Sequence, residues 1–192
     1  RDSSASHAPI VRLGWRSFDR QWTFDDPRLA KTDSPSLWQS WSTRQVYMVS
    51  PRSSRISGGP AVYASAYVPD LNSYFGSGGG KDVIPLYRDA EATQPNVTGG
   101  LLPLLGERYR QEVTPEDLAA YVMGVAGHDA YVQRFDEALE GSPVRVPLTA
   151  DPDLFTRAVK LGERLLWLQT YGERFTGVGR PAGRVPRIPG LG

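Results

Sequence analysis

Apolar residues change their period partway along the chain. Up to Tyr87 they come in short runs: Ile10-Val11-Arg12-Leu13, Trp22-Thr23-Phe24, Val46-Tyr47-Met48-Val49, Ala61 to Val68, and Val83 to Tyr87. The runs are β-rich, and turn-forming clusters separate them: Asp25-Asp26-Pro27, Ser50-Pro51-Arg52-Ser53-Ser54, Gly58-Gly59-Pro60 and Gly76 to Gly80. That pattern predicts strands. Their irregular spacing predicts a mixed or antiparallel sheet rather than repeated βαβ units, and no internal repeat is visible.

Beyond residue 96 the spacing becomes helical. Gly99 to Arg110 carries Leu101, Leu104, Leu105 and Tyr109. Thr114-Pro115-Glu116-Asp117 is a start signal: a capping hydroxyl, a proline for the first turn and two carboxylates for the positive end of the helix dipole. Leu118, Tyr121, Val122 and Val125 then form a stripe. Gly127-His128-Asp129 ends that helix and starts another, through Tyr131, Val132, Phe135 and Leu139 to about Gly141. Asp151-Pro152-Asp153 opens a last helix with a seam of Leu154, Ala158, Leu161, Leu165 and Leu168. Burying one such leucine fully contributes roughly 1.5–3 kcal/mol, so the seam is expected to dock this helix. From Gly177 onward, Pro181, Pro186 and Pro189 forbid a helix. The fold class expected is α+β, with a β-rich half (residues 1–95), a group of about four helices packed on it (96–176) and a flexible basic tail (177–192).

At 192 residues, 40 % hydrophobic and 22 % charged, the chain is an ordinary globular sequence with enough length for one core. It has no apolar run of membrane-spanning length and no secretory leader pattern, so a soluble, cytoplasmic protein is expected. Without cysteine there is no disulfide, thiolate nucleophile or cysteine-bound zinc. The chain begins at Arg1 rather than Met, as expected of a piece of a longer protein.

The net charge of +1 conceals a division. Residues 1–60 hold nine basic and five acidic side chains, and residues 111–150 two basic and seven acidic. A positive region beside an acidic helical block suits a module that touches a polyanion on one side. The nineteen Arg against three Lys favour bidentate contacts to phosphates and guanine edges, although a coding bias toward Arg produces the same count.

Reactive centres are hard to assemble. His7 and His128 are the only histidines, too few for a multi-histidine metal site. Lys31, Lys81 and Lys160 have Leu29, Gly79 and Ala158 two places earlier, where a carboxylate–lysine nuclease requires an acid. Adenine methylation needs Asn or Asp before Pro-Pro-aromatic. Asn72 and Asn96 do not precede proline, and Asp26-Pro27 and Asp151-Pro152 lack the second proline and the aromatic. Gly78-Gly79-Gly80-Lys81-Asp82 lacks the first glycine of a phosphate loop and puts Asp82 at the Mg²⁺-binding position. Gly177-Val178-Gly179-Arg180-Pro181-Ala182 matches a dinucleotide fingerprint only as letters, because it follows a helix and contains proline. Asp25, Asp26 and Asp70 read as turn carboxylates. The expectation is a domain that is no enzyme on its own and holds no cofactor or metal.

The order of several blocks carries more than any one of them. Trp15-Arg16-Ser17-Phe18-Asp19 is followed by Gly59-Pro60-Ala61 through Val68-Pro69-Asp70 to the glycine run and Pro85-Leu86-Tyr87. Asn96-Val97-Thr98, Arg108-Tyr109 and Val113-Thr114-Pro115-Glu116-Asp117-Leu118 come next. From about Val11 to Tyr171 the chain resembles the C-terminal specificity domain of single-polypeptide Type ISP restriction–modification enzymes. The first block departs from that family's Tyr-Arg-Pro-Phe-Asp by an aromatic swap and a lost proline. The resemblance implies a target-recognition domain that helps to clamp duplex DNA. It also implies an upstream domain of the same parent chain that methylates adenine with S-adenosylmethionine, with nuclease and helicase domains in some parents.

The residues themselves nominate contacts in the β-rich half. Arg16 and Arg20 flank Asp19 and reach either a base edge or a phosphate, unless Asp19 pins Arg16 inside a turn. Arg44, Tyr47, Arg52 and Arg55 surround the serine-rich loop Ser50–Ser54, whose hydroxyls and amides suit phosphate oxygens; this is the preferred DNA-facing loop. Lys81 sits on a glycine-rich loop that lets backbone approach a phosphate, or on a solvated hairpin tip. Trp15, Trp22, Trp38 and Trp41 are expected in packing roles, and Arg88 is placed to pair with Asp89 or Glu91. The competing class is a protein-interaction or scaffolding domain in which the acidic helices dock a partner. Affinity for duplex DNA and its salt dependence separate the two.

Overall fold

The first two apolar runs form a two-stranded antiparallel ribbon, β1 (Ile10–Arg16) and β2 (Asp19–Phe24). The computed structural model describes residues 9–16, 18–24, 26, 35–51, 59–70, 81–139 and 143–183. In the ribbon Ile10 lies opposite Phe24 and Arg12 opposite Trp22, with an irregular register between Gly14 and Arg16. A short helix, α1 (Pro35–Gln39), follows; five residues are too few for a readable period. A three-stranded antiparallel sheet comes next, ordered β4 (Tyr63–Ser65), β3 (Tyr47–Pro51), β5 (Lys81–Pro85). The β-rich half is thus two small sheets of antiparallel strands.

Gly14 sets how the ribbon meets the larger sheet. Its N–H donates to the Val68 carbonyl at 3.0 Å and its carbonyl accepts from the Asp70 N–H at 2.8 Å. A Cβ there would stand 2.5 Å from Ser65 Oγ, so any side chain at this position would have to displace that hydroxyl.

Four longer helices follow: α2 (Leu101–Tyr109), α3 (Pro115–Ala126), α4 (Asp129–Leu139) and α5 (Pro152–Gln169). The expected start signals are in place. Thr114 Oγ1 accepts from the Asp117 N–H at 3.1 Å while Asp117 Oδ2 accepts from the Thr114 N–H at 2.9 Å, a reciprocal capping box. Asp151 Oδ1 accepts from the amides of Asp153 and Leu154.

The helical faces differ from the leucine seams expected. Leu161 is 63 % exposed and Leu154 is also exposed, whereas α5 buries Phe155, Ala158, Val159, Gly162, Leu166, Trp167 and Gln169. On α3 the buried positions are Ala119, Ala120, Tyr121, Met123 and Ala126, with Leu118, Val122 and Val125 only partly covered. The period is right and the phase is shifted, because the two helices meet through small residues. A Cβ on Gly162 would overlap the Ala120 carbonyl, and one on Gly124 would overlap that of Ala158. Backbones that close exclude leucines from the line of contact.

One extended segment, residues 143–149, is tied to three helices by tyrosines. Tyr131 Oη donates to the Arg145 carbonyl (2.6 Å), Tyr121 Oη to that of Pro147 (2.7 Å) and Tyr109 Oη to that of Thr149 (2.6 Å). Alternate carbonyls are used because an extended chain points them to one side in steps of two. Phe155 fills the space behind, stacked between the rings of Tyr109 and Tyr121.

The segment from Gly177 was expected to be a flexible tail. As far as Gly183 it is instead turned back onto α5: Gly177 and Arg180 bond to each other, Arg180 pairs with Glu163 at 3.0 Å and Trp167 Nε1 donates to the Pro181 carbonyl. Residues 184–192 lie outside the described residues.

Candidate nucleic-acid interface

Strand register decides which candidate residues share a location. Pro51, the last residue of β3, lies opposite Lys81, the first of β5. The serine- and arginine-rich stretch therefore leaves the sheet at the point where the glycine-rich stretch rejoins it. Arg52 and Arg55 lie outside the described residues, as do the side chains of Lys81 and Arg16. Tyr47 and Arg44 belong to the opposite end of β3, where Tyr47 faces Pro85.

Tyr47 is a core residue and is removed from the contact set. It is 0 % exposed, and its hydroxyl donates to the Leu37 carbonyl at 2.7 Å. Burial pushes its pKa up to about 12, since a phenolate would lose its solvation there. The run around it is buried because β3 is the central strand, so an aromatic read as a loop neighbour is part of the platform. Arg44 precedes β3, whereas Arg52 and Arg55 follow it in the sequence. Its guanidinium lies over the Tyr87 ring, 5.4 Å from the centroid, and reaches Tyr87 Oη and Glu116 Oε1 at 3.4 Å each. With its side chain 60 % exposed, it can still meet an anion. Tyr87 itself donates to Glu116, and burial, followed by that carboxylate, holds its pKa up at about 12.

Arg20 is committed to holding the ribbon. It forms an ion pair with Glu173 and lies 4.2 Å from the Tyr171 ring centroid. Tyr67 donates to the other oxygen of Glu173, and Tyr171 donates to the Phe18 carbonyl. Burial, then Glu173, raises the pKa of Tyr67. This cluster joins the ribbon to the residues after α5, and Glu173 had not been singled out in the sequence. Arg174, next to it, is a half-buried clamp whose guanidinium donates to the carbonyls of Gln45, Ser42, Ala66 and Glu173. Arg88 pairs with neither Asp89 nor Glu91 in the hydrogen bonds seen: its Nε donates to Asn96 Oδ1 at 3.1 Å, while Asp89 accepts from Thr93 and Gln94.

The tryptophans also depart from expectation. Trp22 is 64 % exposed and Trp41 is exposed, while Trp15 and Trp38 are partly covered. The fully packed tryptophan is Trp167 on α5. Over the open face of Trp22 lies the Arg12 guanidinium, 4.4 Å from the ring centroid and 5.8 Å from that of Tyr67. Arg12 was missed because its place opposite Trp22 depends on the register shift between Gly14 and Arg16; counting back from the Arg16–Asp19 pair without that shift would set Arg12 opposite Thr23.

Among the described residues no group of three His, Asp or Glu comes together to hold a metal ion. A cavity of about 280 Å³ between α4 and the extended segment, lined by Tyr131, Phe135, Leu139, Pro143, Arg145 and Pro147 among others, shares no residue with the candidates above. The groups present are guanidiniums, hydroxyls and ring faces, which bind anions and base edges. No described helix is long and apolar enough to cross a membrane.

Comparison with known proteins gives a family and similar folds. The family model of the Type ISP C-terminal specificity domain matches residues 1–189. Among solved structures, the DrdV–DNA complex is similar with a TM-score of 0.67 and 23 % identity, over 85 % of this chain and 16 % of that one. A nuclease-deletion mutant of the Type ISP restriction-modification enzyme LlaGI, in complex with a DNA substrate mimic, gives 0.62 and 18 % over 90 % of this chain and 15 % of that one. The ATP-dependent Type ISP enzyme LlaBIII bound to DNA gives 0.62 and 16 % over 99 % and 12 %. The chain thus spans less than one fifth of the length of each of these proteins. None of the curated proteins matches it.

Proposed function

This chain belongs to the family of Type ISP C-terminal specificity domains, and we propose that it performs target recognition on duplex DNA through the end of its three-stranded sheet. The observation that carries this choice is the pairing of Pro51 with Lys81. It joins two polar segments to one sheet end, one bearing Arg52 and Arg55, the other the glycine run before Lys81. Arg44 supplies a further exposed guanidinium at the other end of β3. Cations carried on segments that leave one sheet can hold a phosphate backbone while one of them reaches a base edge.

The same reading gives the domain no chemistry of its own. An upstream domain of a longer parent chain would methylate adenine with S-adenosylmethionine, and this domain would select where. The short span of this chain against the restriction–modification enzymes it resembles supports such a division.

The test is selection from a pool of randomised duplexes at several salt concentrations, followed by sequencing of the bound fraction. An enriched asymmetric motif is expected, with affinity falling steeply as salt rises. Alanine at a phosphate-contacting arginine weakens all sequences alike, whereas alanine at a base-reading arginine costs about 1–3 kcal/mol at one position. Unchanged binding by Arg44, Arg52, Arg55 and Lys81 variants would remove these residues from the interface.

A further inference from the structure

The β1–β2 ribbon contributes nothing to the hydrophobic core, and what fixes it is gathered near its turn: Gly14 on Val68 and Asp70, Arg20 on Glu173, and Phe18 on Tyr171. The pair Ile10–Phe24 lies four residues from the Gly14–Arg20 pair. At roughly 3.3 Å per residue this is a run of about 13 Å, along which Arg12 still reaches the Tyr67 ring at 5.8 Å.

One face of this run is unusual. Side chains two apart share a face, so the pairs Arg12–Trp22 and Ile10–Phe24 stand on the same side. Ile10 is 61 %, Trp22 64 % and Phe24 50 % exposed. Leaving that much apolar surface in water forgoes burial energy, which is accounted for if a partner covers it. The Arg12 guanidinium determines which partner. Its central carbon lies 4.4 Å from the indole centroid and 5.8 Å from that of Tyr67, and a guanidinium stacked on a ring keeps the N–H donors of its own plane for other acceptors. A guanidinium held this way loses less freedom on meeting guanine O6 and N7 or a phosphate than one free in solvent. A two-stranded ribbon fits the major groove, which is about 12 Å wide and about 8.5 Å deep. The apolar pair beyond the cation can then meet thymine methyl groups.

We propose that the β1–β2 ribbon enters the major groove of the target duplex and reads it with Arg12, which Trp22 orients, while Ile10 and Phe24 make apolar contacts. The inference rests on the duplex-recognition reading above and adds a second reading element to the sheet end. Trp22 acts through Arg12 and is a positioning residue.

The experiment measures the affinity and motif of the intact 192-residue chain beside Arg12→Ala, Arg12→Lys, Trp22→Ala and Phe24→Ser variants. These side chains are outside the core, so folding is checked simply by circular dichroism. Arg12→Ala is expected to weaken the selected motif on the order of tenfold and to relax preference at one base pair. Arg12→Lys keeps the charge but loses the fork, so it should retain non-specific binding and the salt slope while losing that preference. Trp22→Ala should produce a weaker form of the Arg12→Ala pattern, and Phe24→Ser should relax preference at an adjoining thymine. If the unmodified chain selects a motif and every ribbon variant selects it equally well, the ribbon inference is overturned and target recognition stands; the apolar face then belongs to a protein contact. If the unmodified chain selects nothing, both readings fall.

Discussion

In the helical half Tyr109, Tyr121 and Tyr131 are buried, and their hydroxyls fasten alternate carbonyls of residues 145–149. In the ribbon Trp22, Phe24 and Phe18 are exposed, and the larger ring serves as a floor for Arg12. Both regions are aromatic, yet in one the polar atom of each ring has a partner inside the fold and in the other the ring faces water. A buried hydroxyl without its partner would cost about 1–3 kcal/mol, so the first arrangement holds shape. The second holds little of the fold together, and its surface is available to something else. The division places a rigid platform behind a presented strip, as preorganised recognition requires.

The largest effect should come from closing the gap on which the platform depends. Gly162→Val puts a Cβ onto the Ala120 carbonyl, with two methyl groups behind it, and α3 and α5 must move apart. A loss of about 3 kcal/mol or more is expected, read from the denaturant midpoint. A shift under about 1 kcal/mol would mean that the helices are not in such close contact and that the platform is softer than its packing indicates.

Alkaline pH attacks the same platform from within. Burial raises the pKa of Tyr47 to about 12, while in the unfolded chain it lies near 10. Below pH 10 both states are protonated and the contribution is fully present; between 10 and 12 only the unfolded state ionises, so stability falls as pH rises and is lost above 12. The size is on the order of 2–3 kcal/mol. Tyr67, Tyr87, Tyr109 and Tyr131 are shifted the same way, and burial is the first cause in each. Unfolding curves at pH 8, 10.5 and 11.5 check this, and Tyr47→Phe should flatten the profile. An equally steep profile in that variant would assign the loss to the other tyrosines.

A smaller change tests one fastening. Tyr121 Oη both donates to Pro147 and accepts from the Thr149 N–H at 3.0 Å, so Tyr121→Phe strands a carbonyl and an amide. About 1–2 kcal/mol is expected, and Tyr131→Phe, with one bond lost, should cost less.

How far these features can be read from the letters varies by kind. Thr114, Asp117 and Asp151 announce their helices because capping is local, completed within three residues. The strand runs are legible for the same reason. The line of contact between α3 and α5 is not, because leucines dominate a hydrophobic pattern while glycine and alanine decide how closely backbones approach. Nor is the partner of Arg20, since Glu173 stands 153 positions away. Arg44, Arg52 and Arg55 look like neighbours in sequence, and a five-residue strand separates the first from the others. The resemblance names the task of the domain without saying which residues perform it.

The least expected effect is the sharpest test of the division between platform and strip. Trp22→Ser removes the most exposed of the ribbon's aromatics and the floor under Arg12. A cation–π contact at an exposed site is worth about 0.5–1 kcal/mol, but it is spent within the ribbon, which places no residue in the core. Global stability should therefore change by less than about 0.5 kcal/mol, while hydrogen exchange at the ribbon amides, such as those paired across Leu13 and Gln21, should quicken. These two readouts part because a locally tethered element opens below the free energy of global unfolding. A midpoint shift as large as that of Tyr121→Phe would place the ribbon inside the cooperative unit. The exposure of Trp22 would then be incidental to the fold, and the strip would lose its claim to be a presented surface.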